Sequence, residues 1–186
     1  YPFLAASPDG IITKPDCPRL GRMLEIKNIV NRPITGIPKM EYWIQMQLQM
    51  EVCDLDECDF LETRFREFDT YEQYVDESVR QKGIVMFFLE GVTPIYEYGP
   101  MHLDARSLEA WEREQMRHHQ DLGHAWVKNI YWYLDQVSCV LVERDREWFR
   151  AALPVLSEAW RSIVKERKSG CEHRAPKRKP NRASSE

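Results

Sequence analysis

Glu25 and Lys27 stand two residues apart inside the run RMLEIKNIV, which reads as a β-strand. Residues i and i+2 of a strand share a face, so this carboxylate and this ammonium point the same way. Charges on a packed strand face are costly unless they are paired, hydrogen-bonded or bound to a metal. The fold must therefore bring further polar groups against this strand. The segment upstream offers one: in SPDG, Asp9 ends a short apolar run just before a glycine that frees the chain to turn. If the two strands pair, Asp9, Glu25 and Lys27 meet at one edge. The two carboxylates are hard oxygen ligands of the kind Mg²⁺ or Mn²⁺ takes, and the backbone carbonyl of Ile26 can add another.

The remaining pattern alternates strands with helices. YPFLAAS and RMLEIKNIV are predicted strands, joined by a loop with prolines and glycines. From Lys39 to Val52 the spacing predicts a helix, with Met40, Ile44, Leu48 and Val52 as its apolar line, widened by Trp43. Its opposite side carries Glu41, Tyr42, Gln45 and Gln49. CDFLETRFREF alternates as a strand. TYEQYVDESVRQ reads as a short acidic helix, and KGIVMFFLEG with TPIYEYGP as a hairpin. A long helical stretch runs from Asp104, its N-cap, to Tyr131, weakened at Gly123. YLDQVSCVLVER is a strand whose unbroken apolar run suggests burial on both faces. Asp145 caps a last helix that Pro154 should bend or interrupt. The predicted class is α/β or α+β: a central mixed sheet flanked by helices, with an inserted hairpin and helix.

Composition supports a folded chain. Of 186 residues, 43% are hydrophobic and 30% charged, which is globular rather than disordered. No apolar run reaches the ~20 residues a membrane helix needs, so no membrane association is expected. Five cysteines with no CxxC pair argue against a disulfide framework and for a reducing, intracellular, non-secreted setting. Cys53 and Cys58 flank an acidic turn but lack further ligands nearby. A net charge of −4 disfavours a generic polyanion binder. The distribution is uneven, however: six basic and two acidic residues lie between Ile11 and Met40. Arg19, Arg22, Arg32 and Lys39 are thus candidate phosphate contacts beside the acidic motif.

SPDG, then LEIK, then a helix bearing YWIQMQLQ resembles the YqaJ-type viral recombinase or lambda-exonuclease-like family of the PD-(D/E)XK nuclease superfamily. VLVERDREWF is similar to the strand–turn–helix that closes that family's core. The recognisable part covers about residues 1–68 and 132–167, with 69–131 as an insertion. A single domain over 1–168 is expected, N-terminally incomplete relative to the family, followed by a basic disordered tail over 169–186.

The resemblance implies Asp9 and Glu25 as metal ligands together with the Ile26 carbonyl, Lys27 as the catalytic lysine, and Gln45 as the helix glutamine that positions water or the scissile phosphate. It implies Mg²⁺ or Mn²⁺ as cofactor and double-stranded DNA ends as substrate. Partners it suggests are a single-strand annealing protein and further copies of the chain. The implied activity is a metal-dependent DNA exonuclease, 5′ to 3′ in the phage enzymes, serving viral-type recombination or genome processing. An endonuclease or resolvase on the same core, and a catalytically inactive DNA-binding or assembly module, are the alternatives.

Overall fold

The computed structural model describes residues 1–101 and 103–175. In chain order the elements are β1 Gly10–Ile11, β2 Met23–Asn28, α1 Met40–Cys53, β3 Glu57–Glu67, α2 Tyr71–Asp76, β4 Lys82–Glu90, β5 Thr93–Tyr98, α3 Ala105–Asp121, β6 Ala125–Glu143 and α4 Arg146–Ser169. One six-stranded sheet joins them in the order β1-β2-β3-β6-β4-β5. Only β2 and β3 pair parallel, with α1 as their crossover; the other neighbours are antiparallel. This mixed sheet flanked by helices is the α/β architecture the sequence predicts, and it is consistent with the restriction-endonuclease-like fold that the family resemblance implies.

Two cores lie along the sheet. Met23, Met46, Met50, Cys58, Phe60 and Val142 pack between α1 and the β2–β3–β6 half. Tyr74, Ile84, Met86, Phe88 and Leu108 pack under α2 and α3 on the other half. The hairpin β4–β5 does not form a separate body, because β4 pairs with β6 and extends the same sheet.

Several expectations are corrected. The predicted first strand, residues 1–7, does not form; the two-residue β1, Gly10–Ile11, lies just beyond it in the predicted loop, and Tyr1 packs against Phe149 of α4, with ring centres 5.2 Å apart. The long helix ends at Asp121 rather than Tyr131, because Gly123 takes a positive φ of 76° and the chain re-enters the sheet at Ala125. The resulting β6 spans 19 residues. Its VSCVLV run is not buried on both faces: Val137 and Leu141 stay about half exposed, at 58% and 48%. Finally, Pro154 does not interrupt α4, which runs as one helix from Arg146 to Ser169. Beyond it, residues Glu172–Arg174 form a 3-10 turn that Arg174 ties to Glu166 at 2.6 Å. The rest of the basic tail, 176–186, lies outside the described residues.

The largest correction concerns which side of α1 faces the sheet. Met40 is 67% exposed and Val52 is 38% exposed, whereas Met46, Gln47, Gln49 and Met50 are buried. The helix turns its glutamines inward. Buried amides are tolerated when hydrogen-bonded, and each glutamine finds partners. Gln47 donates to the Glu143 carbonyl at 2.9 Å and accepts from the Asp145 N–H at 2.6 Å, fixing the turn from β6 into α4. Gln45 and Gln49 reach β2.

Candidate active site

β2 presents Met23, Glu25 and Lys27 to α1 by simple alternation. Met23 anchors this face in the core, and Glu25 is only 1% exposed. The Glu25 carboxylate takes bonds on both oxygens. Oε1 accepts from Lys27 Nζ and, at 2.7 Å, from Gln45 Nε2. Oε2 accepts from Gln49 Nε2 at 2.8 Å. Lys27 Nζ also donates to Gln45 Oε1 at 3.2 Å, closing a ring of three side chains, and lies 5.1 Å from the Tyr42 ring centre. A buried carboxylate with that many hydrogen-bond partners is held in one place.

Asp9 arrives from the other side. β1 sets Gly10 opposite Leu24 and Ile11 opposite Met23, and the same register carried one residue further sets Asp9 opposite Glu25. Asp9 Oδ2 accepts the Ile26 N–H at 2.7 Å. Ile29 donates its N–H to Thr63 of β3, so alternate residues of β2 face β3 and Ile26 faces the β1 side. A residue's N–H and C=O lie on the same side of its strand, which opens the Ile26 carbonyl onto the edge occupied by Asp9. The structure thus brings Asp9, Glu25, Ile26, Lys27 and Gln45 together.

The four basic candidates separate. Arg32 comes to the site: its guanidinium pairs with Glu62 and lies 5.6 Å from the Tyr42 ring centre, on the same ring that Lys27 overlies. Arg19 and Arg22 do not. Arg19 pairs with Asp59 at 3.3 Å, and Arg22 holds Glu57 at 2.9 Å and Asp59 at 3.1 Å. Asp59 alternates with Phe60, the register partner of Glu25, so it points to the opposite sheet face. Lys39 is a half-exposed side chain at the N-terminus of α1, 3.8 Å from Glu41.

Two further residues belong to the site, and the sequence reading missed Glu62 among them. Gln49, on the helix side that also carries Gln45, is 3% exposed, and its Oε1 is buried without a partner. Glu62 stands beside Lys27 in the parallel register, is 1% exposed, and its Oε2 is likewise unpartnered. The clue was available for Glu62: in CDFLETRF it shares parity with Cys58 and Phe60, the inward face.

The donor set fits a Mg²⁺-type ion, which binds through one or two carboxylates and keeps several waters. Two carboxylates, the Ile26 carbonyl and the unpartnered Gln49 oxygen are all hard oxygen donors. Among the described residues no group of three or more His, Cys, Asp or Glu side chains is gathered for a metal, so backbone, amide and water oxygens have to complete such a shell. Cys58, under the same helix, is unsuited to ligation: burial first, and the Glu25 charge next, push its thiol up to about 12.

A groove of about 790 Å³ lies elsewhere, between α3 and the sheet, lined by Tyr71, Met86, Glu112, Met116, Trp126 and Tyr131. Its chemistry is unrelated to the β1–β2 edge.

No protein-family model matches the chain. It is similar to "Uncharacterized protein R354" of Acanthamoeba polyphaga mimivirus, with 28% identity over 88% of this chain and 37% of that protein. The chain therefore spans a little over a third of that relative's length.

Proposed function

We propose that the chain carries the catalytic site of a metal-dependent deoxyribonuclease that hydrolyses phosphodiester bonds of duplex DNA from an end. The observation that supports this best is the ring Glu25–Lys27–Gln45, with Asp9 one register step away. A divalent cation held by Asp9, Glu25 and the Ile26 carbonyl would polarise a phosphoryl oxygen and acidify water. Lys27 would orient the attacking water, with Gln45 fixing the ammonium. Arg32 would meet a strand's phosphate beside Lys27. The resemblance to YqaJ-type and lambda-exonuclease-like nucleases agrees with this donor set, and DNA ends, an annealing partner and self-assembly are carried over from it as part of the proposal.

The second reading, a DNA-binding module without cleavage, is favoured by one observation: both Glu25 oxygens are already engaged by side chains. Digestion of end-labelled linear duplex with Mn²⁺ separates the two. Mn²⁺-dependent shortening that Asp9→Ala and Glu25→Ala both abolish supports the nuclease; binding without shortening supports the module. A closed circle left intact under the same conditions distinguishes end-dependent action from an endonuclease.

A further inference from the structure

Lys27 lies between two buried carboxylates. Glu25 precedes it by two residues on β2, and Glu62 faces it in register on β3, a strand ~4.8 Å away. Each is 1% exposed. The ammonium rests on Glu25, whereas Glu62 gives Oε1 to Arg32 and leaves Oε2 buried with no partner. It is the one buried carboxylate oxygen among the described residues without a hydrogen bond. A charged acceptor withdrawn from water and left unmatched is costly, so its retention beside Lys27 calls for a second arrangement in which it is used.

Resting on the nuclease reading, we infer that Glu62 is a positioning residue for Lys27. Once Glu25 coordinates a divalent cation, an ammonium on the same carboxylate faces like charge at close range. Lys27 then needs another acceptor, and the free oxygen of Glu62 is the charged one in register with it. Arg32 holds Glu62 in place through its other oxygen, and the Tyr42 ring serves both cations. Transfer to Glu62 keeps the ammonium in the site while freeing Glu25 for the metal. Glu62 is thus an outer partner that raises divalent affinity without touching the ion.

The test is Mn²⁺ titration calorimetry on the wild-type protein, Glu62→Gln, Lys27→Met and the double variant, with circular dichroism confirming the fold. Glu62→Gln should weaken Mn²⁺ binding by roughly 10- to 100-fold, and the loss should vanish in the Lys27→Met background. A purely structural role for Glu62 would give the same loss in both backgrounds and overturn the proposal, as would unchanged affinity in Glu62→Gln. If Glu62→Gln does not fold, a crystal structure of the Mn²⁺-loaded wild-type protein decides: Lys27 Nζ within hydrogen-bonding distance of Glu62 supports the transfer, and Nζ still on Glu25 overturns it. A wild-type protein that binds no Mn²⁺, or binds it regardless of Asp9→Ala and Glu25→Ala, sinks the nuclease site itself and this inference with it.

Discussion

Gln49 of α1 donates to the Glu25 carboxylate at 2.8 Å inside the protein, and also to the Ser7 carbonyl at 3.1 Å. One amide thereby joins the helix, the second strand and the chain just before Asp9. Gln49→Leu keeps the volume but removes both bonds. A hydrogen bond to a charged buried group is worth about 1.5–3 kcal/mol, and urea unfolding should show a loss of that size. Mn²⁺ affinity should fall as well, because Asp9 loses the tie that holds its segment against Glu25. Unchanged stability and affinity would mean that Gln49 is a bystander.

Lys27→Ala separates catalysis from assembly. With the ammonium gone, DNA and Mn²⁺ binding should persist while cleavage drops by about 10²–10⁴, the range for a positioned proton-handling group. The same variant leaves Glu25 buried without its counter-ion, so its melting temperature should fall in EDTA. Added Mn²⁺ should restore much of the loss, since the cation replaces the missing charge. Thermal denaturation with and without metal measures this, and wild-type cleavage rates in the variant would remove Lys27 from the mechanism.

Cys58 offers a check on how tightly α1 closes over the site. Its thiol is buried beside Glu25 and pushed up to about 12, whereas Cys171 is exposed. Iodoacetamide at pH 8 should label Cys171 in the native protein and leave Cys58 unmodified until urea is added; peptide mass spectrometry reads both. Labelling of Cys58 at the rate of Cys171 would mean that the helix opens readily.

Sequence reasoning located β2, the hairpin and the α1 segment because strand parity and turn residues are local signals. It put Glu25 and Lys27 on one face because period-two alternation fixes the face of each strand residue; Asp9 comes to their edge through the two-residue β1, which the alternation of residues 1–7 did not foretell. It misjudged α1 because Ile44 and Leu48 look like a core stripe, while the deciding contacts are long-range bonds from Gln45, Gln47 and Gln49 to strands far along the chain. The ends of α3 and β6 were illegible for a related reason. Ala125 to Tyr131 is pulled into strand by pairing with β4, not by its own periodicity. The ion pairs that draw Arg19 and Arg22 away from the site were illegible because Glu57 and Asp59, which hold them, lie 35 to 40 residues away.

Glu112, in the groove under α3, gives the fold a pH dependence with a definite sign. Its Oε1 accepts from Asn129 at 2.7 Å and from the Tyr131 hydroxyl at 3.2 Å, and it makes no ion pair with a basic side chain among the described residues. Burial raises the carboxyl above its ordinary value, and the bonds from Tyr131 and Asn129 only partly oppose this. A raised folded-state pKa favours folding below the unfolded value of ~4.3, and that advantage fades as pH rises through the folded one. At neutral pH the wild-type protein therefore carries a half-buried charge that costs stability. Glu112→Gln keeps an oxygen for Asn129 and Tyr131 but removes the charge. Its melting temperature should exceed wild type at pH 7, with the gap closing by pH 4. A gap that is absent at pH 7, or that widens in acid, would show that the Glu112 carboxylate is stabilised in the fold rather than strained by it.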